Sequence, residues 1–173
     1  SPMTGLSRAQ QAAVRRAISG GAKSELLASG YNIQILRSHL ACLRKGAWLN
    51  DEVINFYMEL LRDQNKAIHA AGADPARAAA TPKVHIHNTH FYAKLFEREK
   101  YCYDNVRRWT KRGKGKCDIF AMDRVIFPIN QGGMHWCLAV AHMKEGKIEY
   151  FDSLGGGGQA CLRHLRRYIA DEW

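Results

Sequence analysis

Two residues of the types that do acid–base work, His135 and Asp152, bracket one stretch of this 173-residue sequence whose pattern is a β-hairpin. An apolar run from Trp136 to Ala141 is followed by polar Lys144-Glu145-Gly146 and then by partly alternating Lys147 to Phe151. A hairpin returns its far end to where it began, so the imidazole and the carboxylate meet at one end of a sheet. A four-residue loop, Met143 to Gly146, sets Asp152 opposite Cys137 and one diagonal step from His135 on the same face, with Cα atoms roughly 8 Å apart. A three-residue loop turns Asp152 to the other face. In the first register the carboxylate orients an imidazole, which is the base and its orienter in a nucleophilic triad.

Such a pair needs a nucleophile to serve, and the sequence holds five thiols: Cys42, Cys102, Cys117, Cys137 and Cys161. An odd number without Cys-x-x-Cys spacing argues against a disulfide framework and a zinc site and fits reduced thiols. Cys137 falls in the middle of an apolar strand and Cys161 after a glycine run, positions that read as packing. His85 and His87 alternate on one strand face, but the spacing supplies no further ligand for a metal. No metal or cofactor is expected.

Composition sets the class. Apolar content of 46% with four Trp suits one domain with a real core, and fifteen Gly with four Pro do not suggest a disordered or fibrous chain. No apolar run approaches the roughly 20 residues of a membrane span, and the Ser1-Pro2-Met3 start resembles no signal peptide, so a soluble intracellular protein is expected. A formal net charge of +10 favours an acidic partner.

Several elements must position the pair. Gly5 to Ile18 has a helical pattern ending at Gly20-Gly21, and residues 1–30 read as an N-terminal helical extension. Tyr31 to Leu36 alternates as a strand, with Ser38 as N-cap of a turn or two through Leu43. Asn50 is the expected N-cap of a helix carrying Val53, Tyr57, Leu60 and Leu61 on its buried face, with Trp48 as a hydrophobic staple just before it. Residues 63–82 read as a fraying helix end and a surface loop. Val84 to Asn88 reads as a strand and Phe91 to Phe96 as a helix. Arg98 to Lys116, with eight basic and two acidic residues, reads as a basic amphipathic helix ended by Gly113 and Gly115. Val125 to Ile129 reads as a strand whose Pro128 marks an edge or an end. The four glycines from Gly155 to Gly158 lack the lysine of a P-loop and read as a mobile turn before a last helix.

Trp48-Leu49-Asn50-Asp51, Val106-Arg107-Arg108-Trp109-Thr110-Lys111, Phe127-Pro128-Ile129-Asn130, His135-Trp136 and Phe151-Asp152-Ser153-Leu154 occur in this order and with this spacing. Together they resemble the Ulp/SENP cysteine proteases that process SUMO and related ubiquitin-like proteins, over about Ile33 to the C-terminus. The resemblance implies an α+β, papain-like fold over residues 31–173, with 63–82 as an insertion loop. It implies His135 as general base and Asp152 as its orienter. Trp48 and Trp136 match the indoles that admit a C-terminal Gly-Gly, and Asp51 the acid that pairs with a basic residue of the partner. A nucleus or cytoplasm location goes with the family.

The family's Gly-Asp-Cys-Gly segment is not found here. The chain is therefore expected to end before the nucleophile, to lack the C-terminal part of the fold, and to be inactive alone. The alternatives are a catalytically dead module that binds a ubiquitin-like protein and a NEDD8-type protease of the same family. Nucleic acid is not the expected partner, because the aromatic residues of the basic segment fit a buried face better than a stacking platform.

Overall fold

The computed structural model describes residues 5–111 and 116–173. Arg112, Gly113 and Gly115, expected to close the basic segment, and the Ser1-Pro2-Met3 start lie outside the described residues. The chain forms two compact units, Ser1–Tyr57 and Met58–Trp173. Among the described residues no helix is long and apolar enough to cross a membrane.

In the first unit, helix α1 (Arg8–Ser19) opens on a capping box, with the Ser7 hydroxyl accepting from the Gln10 amide and the Gln10 side chain accepting from the Ser7 amide. Arg37 donates to the carbonyls of Arg16 and Ala17 at the far end of α1, where the last carbonyls lack helical partners. It also pairs with Glu25 at 2.7 Å. Strands β1 (Leu26–Gly30) and β2 (Ile33–Leu36) form a hairpin whose two loop residues, Tyr31 and Asn32, both have positive φ. That is the conformation a two-residue hairpin loop demands. The expected strand starts instead at Ile33, because Tyr31 and Asn32 are the turn. Ser38 has helical backbone and makes no capping bond to the 3-10 turn His39–Leu43.

Helix α2 (Asp51–Ile68) begins as expected. Asn50 accepts from the Val53 amide at 3.0 Å and donates to the His39 carbonyl at 2.9 Å, so one side chain both caps the helix and fixes its entry. Trp48 is 62% exposed, which a staple would not be.

The second unit is built on a four-stranded sheet in the order β3 (Val84–Ile86), β6 (Arg124–Gln131), β7 (His135–His142), β8 (Lys147–Phe151). β3 runs parallel to β6, and the other pairs are antiparallel. The α+β class expected from the sequence is present. Alternation decides which face is covered: Val125, Phe127 and Ile129 on β6 and Cys137, Ala139 and Ala141 on β7 are buried. They share one core with Phe91 and Leu95 of α4 (His90–Leu95) and with Cys161, Leu165 and Tyr168 of α5 (Gln159–Glu172). Pro128 is not in an edge strand, because β6 lies between β3 and β7. β3 pairs only as far as Ile126, however, so among the described residues no strand flanks β6 on that side where the proline sits.

Over its described residues, 98–111 and 116, the basic segment is not a helix. Arg98 and Glu99 have positive φ and turn the chain between two short strands, β4 (Phe96–Glu97) and β5 (Lys100–Tyr101), and a 3-10 turn follows at Tyr103–Asn105. Two successive non-glycine residues in the left-handed region exclude a helix there. The apolar residues of the expected helix still face inward: Val106 is buried and the Trp109 ring meets Phe91 edge-on at 5.5 Å. Tyr101 and Tyr103 donate to Asp171 and Glu172 at 2.6 Å each, tying this segment to the end of α5. In the region read as a loop, α2 runs to Ile68 and a short helix α3 (Pro75–Ala80) is capped by Asp74.

His85 and His87 are both buried, with ring centroids 4.5 Å apart, and His87 stacks on Phe91 at 3.7 Å. Burial, aided by the positive charges of Arg62 and Lys66, pulls the pKa of His85 down to about 4, and burial holds that of His87 well below the ordinary value. The sign follows from proton counts. Below pH 6.5 the unfolded chain protonates these rings while the folded one does not, so stability present above pH 6.5 falls as pH drops toward 4. His87→Phe keeps the stack and removes one titrating ring. Its urea midpoint should fall less between pH 7 and pH 4.5 than that of the wild type, and equal slopes would contradict burial of a neutral His87. The Tyr168 hydroxyl is buried without a hydrogen-bond partner among the described residues. Tyr168→Phe should therefore leave stability unchanged or raise it by up to about 1 kcal/mol, whereas a loss of about 2 kcal/mol would show a bonded hydroxyl.

Candidate active site

The β7–β8 register is the one that a four-residue loop gives: His142 pairs with Lys147 and Leu138 with Phe151, and one further step sets Asp152 opposite Cys137. At the other end of β7 the strand begins after a tight turn in which Gly132 and Gly133 have positive φ and Asn130 accepts from the Gly133 amide at 2.7 Å. That turn fixes His135 as the first residue of the strand. The outcome is a hydrogen bond of 2.6 Å between His135 Nε2 and Asp152 Oδ1, with side chains only 13% and 5% exposed.

Asp152 is held from two sides. The same Oδ1 accepts from the Leu154 amide at 2.8 Å. The bond from His135, and then that from Leu154, hold its carboxyl below the usual carboxylate range, so it is an anion throughout the neutral range. The glycine run has a steric function that the reading of a mobile turn overlooked. A Cβ at Gly156 would collide with Asp152 Oδ2, and one at Gly158, which has positive φ, would collide with the Tyr150 ring.

Cys137 completes the group. A sulfur, a ring nitrogen and a carboxylate oxygen of Cys137, His135 and Asp152 all lie within 4.8 Å of one another, a triad-like arrangement. The thiol is buried, which pushes its pKa up; a hydrogen bond with Tyr150 offsets this and the Asp152 carboxylate adds to it. In the resting protein Cys137 is therefore a thiol, not a thiolate. The same three side chains are the one group among the described residues with the donor types and spacing to hold a metal ion. The short bond between His135 and Asp152 is equally the geometry of acid–base work.

The other residues singled out from sequence are placed by their elements. Trp136 follows the base on β7 and is half-buried, Trp48 is largely exposed before the α2 cap, and Asp51 is the first residue of α2. Cys161 is buried in the core, and burial pushes its pKa up to about 12.

Residues 47–173 match the family described as the Ulp1 protease family, C-terminal catalytic domain. The chain is 41% identical over 164 residues to a sentrin-specific protease of Caenorhabditis elegans, covering 95% of this chain and 21% of that protein. It is 38% identical over 173 residues to the ubiquitin-like-specific protease ESD4 of Arabidopsis thaliana, covering 99% and 33%. The chain thus spans well under half the length of these curated relatives. Among solved structures it resembles the Ulp1 protease domain in complex with Smt3, the yeast ortholog of SUMO. The TM-score is 0.78 at 29% identity, over 99% of this chain and 70% of that one. Ulp1 with its catalytic cysteine oxidised to a sulfinic acid gives 0.75 at 30% identity, over 99% and 69%.

These findings correct three expectations. The family match runs to Trp173, and 99% of the chain superposes on Ulp1 domains, so the reading of a fold lacking its C-terminal part is withdrawn. The reading that no thiol of this chain stands with the base is overturned by Cys137. The corollary that the chain is inactive alone goes with it.

The buried state of Cys137 has a direct readout. In time-resolved alkylation mapped by mass spectrometry at neutral pH without substrate, Cys137 should react at least about tenfold more slowly than half-buried Cys102. Alkylation of Cys137 ahead of Cys102 would contradict a protonated, enclosed thiol.

Proposed function

The chain belongs to the Ulp1 protease family, and from that premise we propose that it acts as a cysteine protease on SUMO or another ubiquitin-like protein, cleaving after the C-terminal Gly-Gly. The observation that carries this reading is the 2.6 Å bond between His135 and Asp152, with the Cys137 thiol beside it. His135 is the base: it takes the proton of the attacking thiol and returns it to the departing amine. Asp152 holds the ring in orientation and stabilises the imidazolium that forms. Cys137 is the thiol that the cluster offers as nucleophile. Its resting protonation means that the proton must pass to His135 as the tail enters. Attack on the glycine carbonyl then gives a thioester, and water releases the processed tail.

Trp136, next to the base, is proposed to shield the scissile bond, where exclusion of water strengthens each electrostatic contact. Trp48 is proposed to contact the glycine tail, which has no side chains to obstruct a close approach to an indole. Asp51 is proposed to pair with a basic residue of the partner, while the net charge of +10 suits the partner's acidic surface. Such a partner places the action inside the cell, in nucleus or cytoplasm.

Hydrolysis of a SUMO–fluorophore conjugate tests the assignment. His135→Ala should lower kcat/KM by about a hundredfold or more, and Asp152→Asn should cost a comparable factor. Trp48→Ala should raise KM more than it lowers kcat. Cys137→Ala should abolish turnover; full turnover would leave Cys137 a packing role and remove it from the mechanism. Activity unaffected by His135→Ala would refute the reading as a whole. A NEDD8–fluorophore conjugate assayed alongside separates the two modifiers.

A further inference from the structure

Three donors of three kinds meet at the start of β7: the sulfur of Cys137, a ring nitrogen of His135 and a carboxylate oxygen of Asp152, all within 4.8 Å of one another. The carboxylate joins the other two. It accepts from His135 Nε2 at 2.6 Å, and the Cys137 thiol is hydrogen-bonded to it as well. Two protons therefore bridge the three side chains in the resting protein. Cys137 is buried, and little of the other two side chains is exposed.

A cluster of this composition is also a chelate. Zinc(II) takes a thiolate sulfur at about 2.3 Å and an imidazole nitrogen or carboxylate oxygen at about 2.0 to 2.2 Å, so neighbouring ligands of a tetrahedral ion lie about 3.4 to 3.6 Å apart. The bond between His135 and Asp152 has to open by only about 0.8 Å to reach that spacing. Charge selects the ion. A thiolate and a carboxylate carry two negative charges and a neutral imidazole none, so a divalent cation leaves the enclosed group neutral. Magnesium and calcium seek oxygen and gain little from sulfur and nitrogen, which zinc accepts readily. The outer contacts suit such an ion too. The Leu154 amide donates to Asp152 Oδ1 at 2.8 Å, and the Tyr150 hydroxyl, which accepts from the Gln131 side chain, bonds the Cys137 sulfur. Contacts of this kind orient the ligands and stabilise charge on a bound thiolate.

We propose that His135, Cys137 and Asp152 bind one zinc ion and that this ion switches the site off. The thiol proton leaves to solvent as the sulfur becomes a ligand, the imidazole binds in its neutral form, and water takes the fourth position. Base, orienter and thiol are then occupied together. The zinc site stands on the geometry of its ligands, whereas its inhibitory effect rests on the protease reading.

The test titrates zinc chloride calorimetrically into the full chain, with magnesium chloride as the control and cobalt(II) chloride as a spectroscopic probe. Zinc should bind where magnesium does not, and cobalt should give tetrahedral d–d absorption with a sulfur-to-cobalt charge-transfer band. Cys137→Ala should abolish that band and weaken zinc binding by about a hundredfold or more, and Asp152→Asn should keep the band and weaken zinc binding by about tenfold or more. Asp152→Asn carries the test should Cys137→Ala fail to fold. In hydrolysis of the SUMO–fluorophore conjugate, zinc should suppress turnover at the concentrations at which it binds, and a chelator should restore it. No zinc binding beyond the magnesium control, binding undiminished in the folded variants, or full turnover with zinc bound overturns the proposal. A zinc-free chain without turnover refutes the protease reading instead, and the calorimetric and cobalt results then decide the zinc site alone.

Discussion

The register of one hairpin determines the chemistry of this protein. Four residues, Met143 to Gly146, join β7 to β8, and that number sets Asp152 on the face of the sheet that carries His135 and Cys137. One residue fewer would turn the carboxylate to the opposite face. The hydrogen bond between His135 and Asp152 is thus a consequence of strand pairing along the whole hairpin. The pairing is in turn held by the alternation of Cys137, Ala139 and Ala141 into the core. Slippage would expose these residues and bury their neighbours, so core packing and site geometry oppose the same error.

Aromatic packing fills the core beneath the sheet. Phe91, Phe127 and Tyr168 meet edge to face or tilted at 4.9 to 6.1 Å, and the small side chains of β7 leave them room. Around the carboxylate the clearance is smaller still. The absence of side chains at Gly156 and Gly158 lets the turn after β8 fold back over Asp152 and Tyr150. The turn is therefore packed closely against the carboxylate, which keeps an orienting group in register with its base.

Much of this was legible in the sequence, because the signals were local. Period-two alternation with a polar turn gave the hairpin and both of its registers, and Asn50 before an apolar helical pattern gave the α2 cap that the structure shows. The misreadings have physical causes. Arg98 and Glu99 adopt left-handed backbone, for which neither residue type is a signal, so a helical pattern of Tyr103, Val106 and Trp109 was mistaken for a helix. Strand β1 escaped because Tyr31 and Asn32, read as strand, are the turn. Cys137 is the instructive case. Its apolar surroundings suggested packing, yet the register that joined His135 to Asp152 already placed residue 137 on the same face, opposite the carboxylate. The alternation carried that signal, and the residue's apolar neighbours obscured it.

The hydrogen bond at the centre of the site is open to direct measurement by long-range nitrogen–proton correlation spectroscopy of the His135 ring, at a pH where a free imidazole is neutral. The expected result is a ring proton on Nε2, directed at Asp152, and its redistribution between the two nitrogens in Asp152→Asn. A wild-type ring carrying its proton on Nδ1, or one indifferent to Asp152→Asn, would show that the hairpin does not deliver a base and its orienter as a pair.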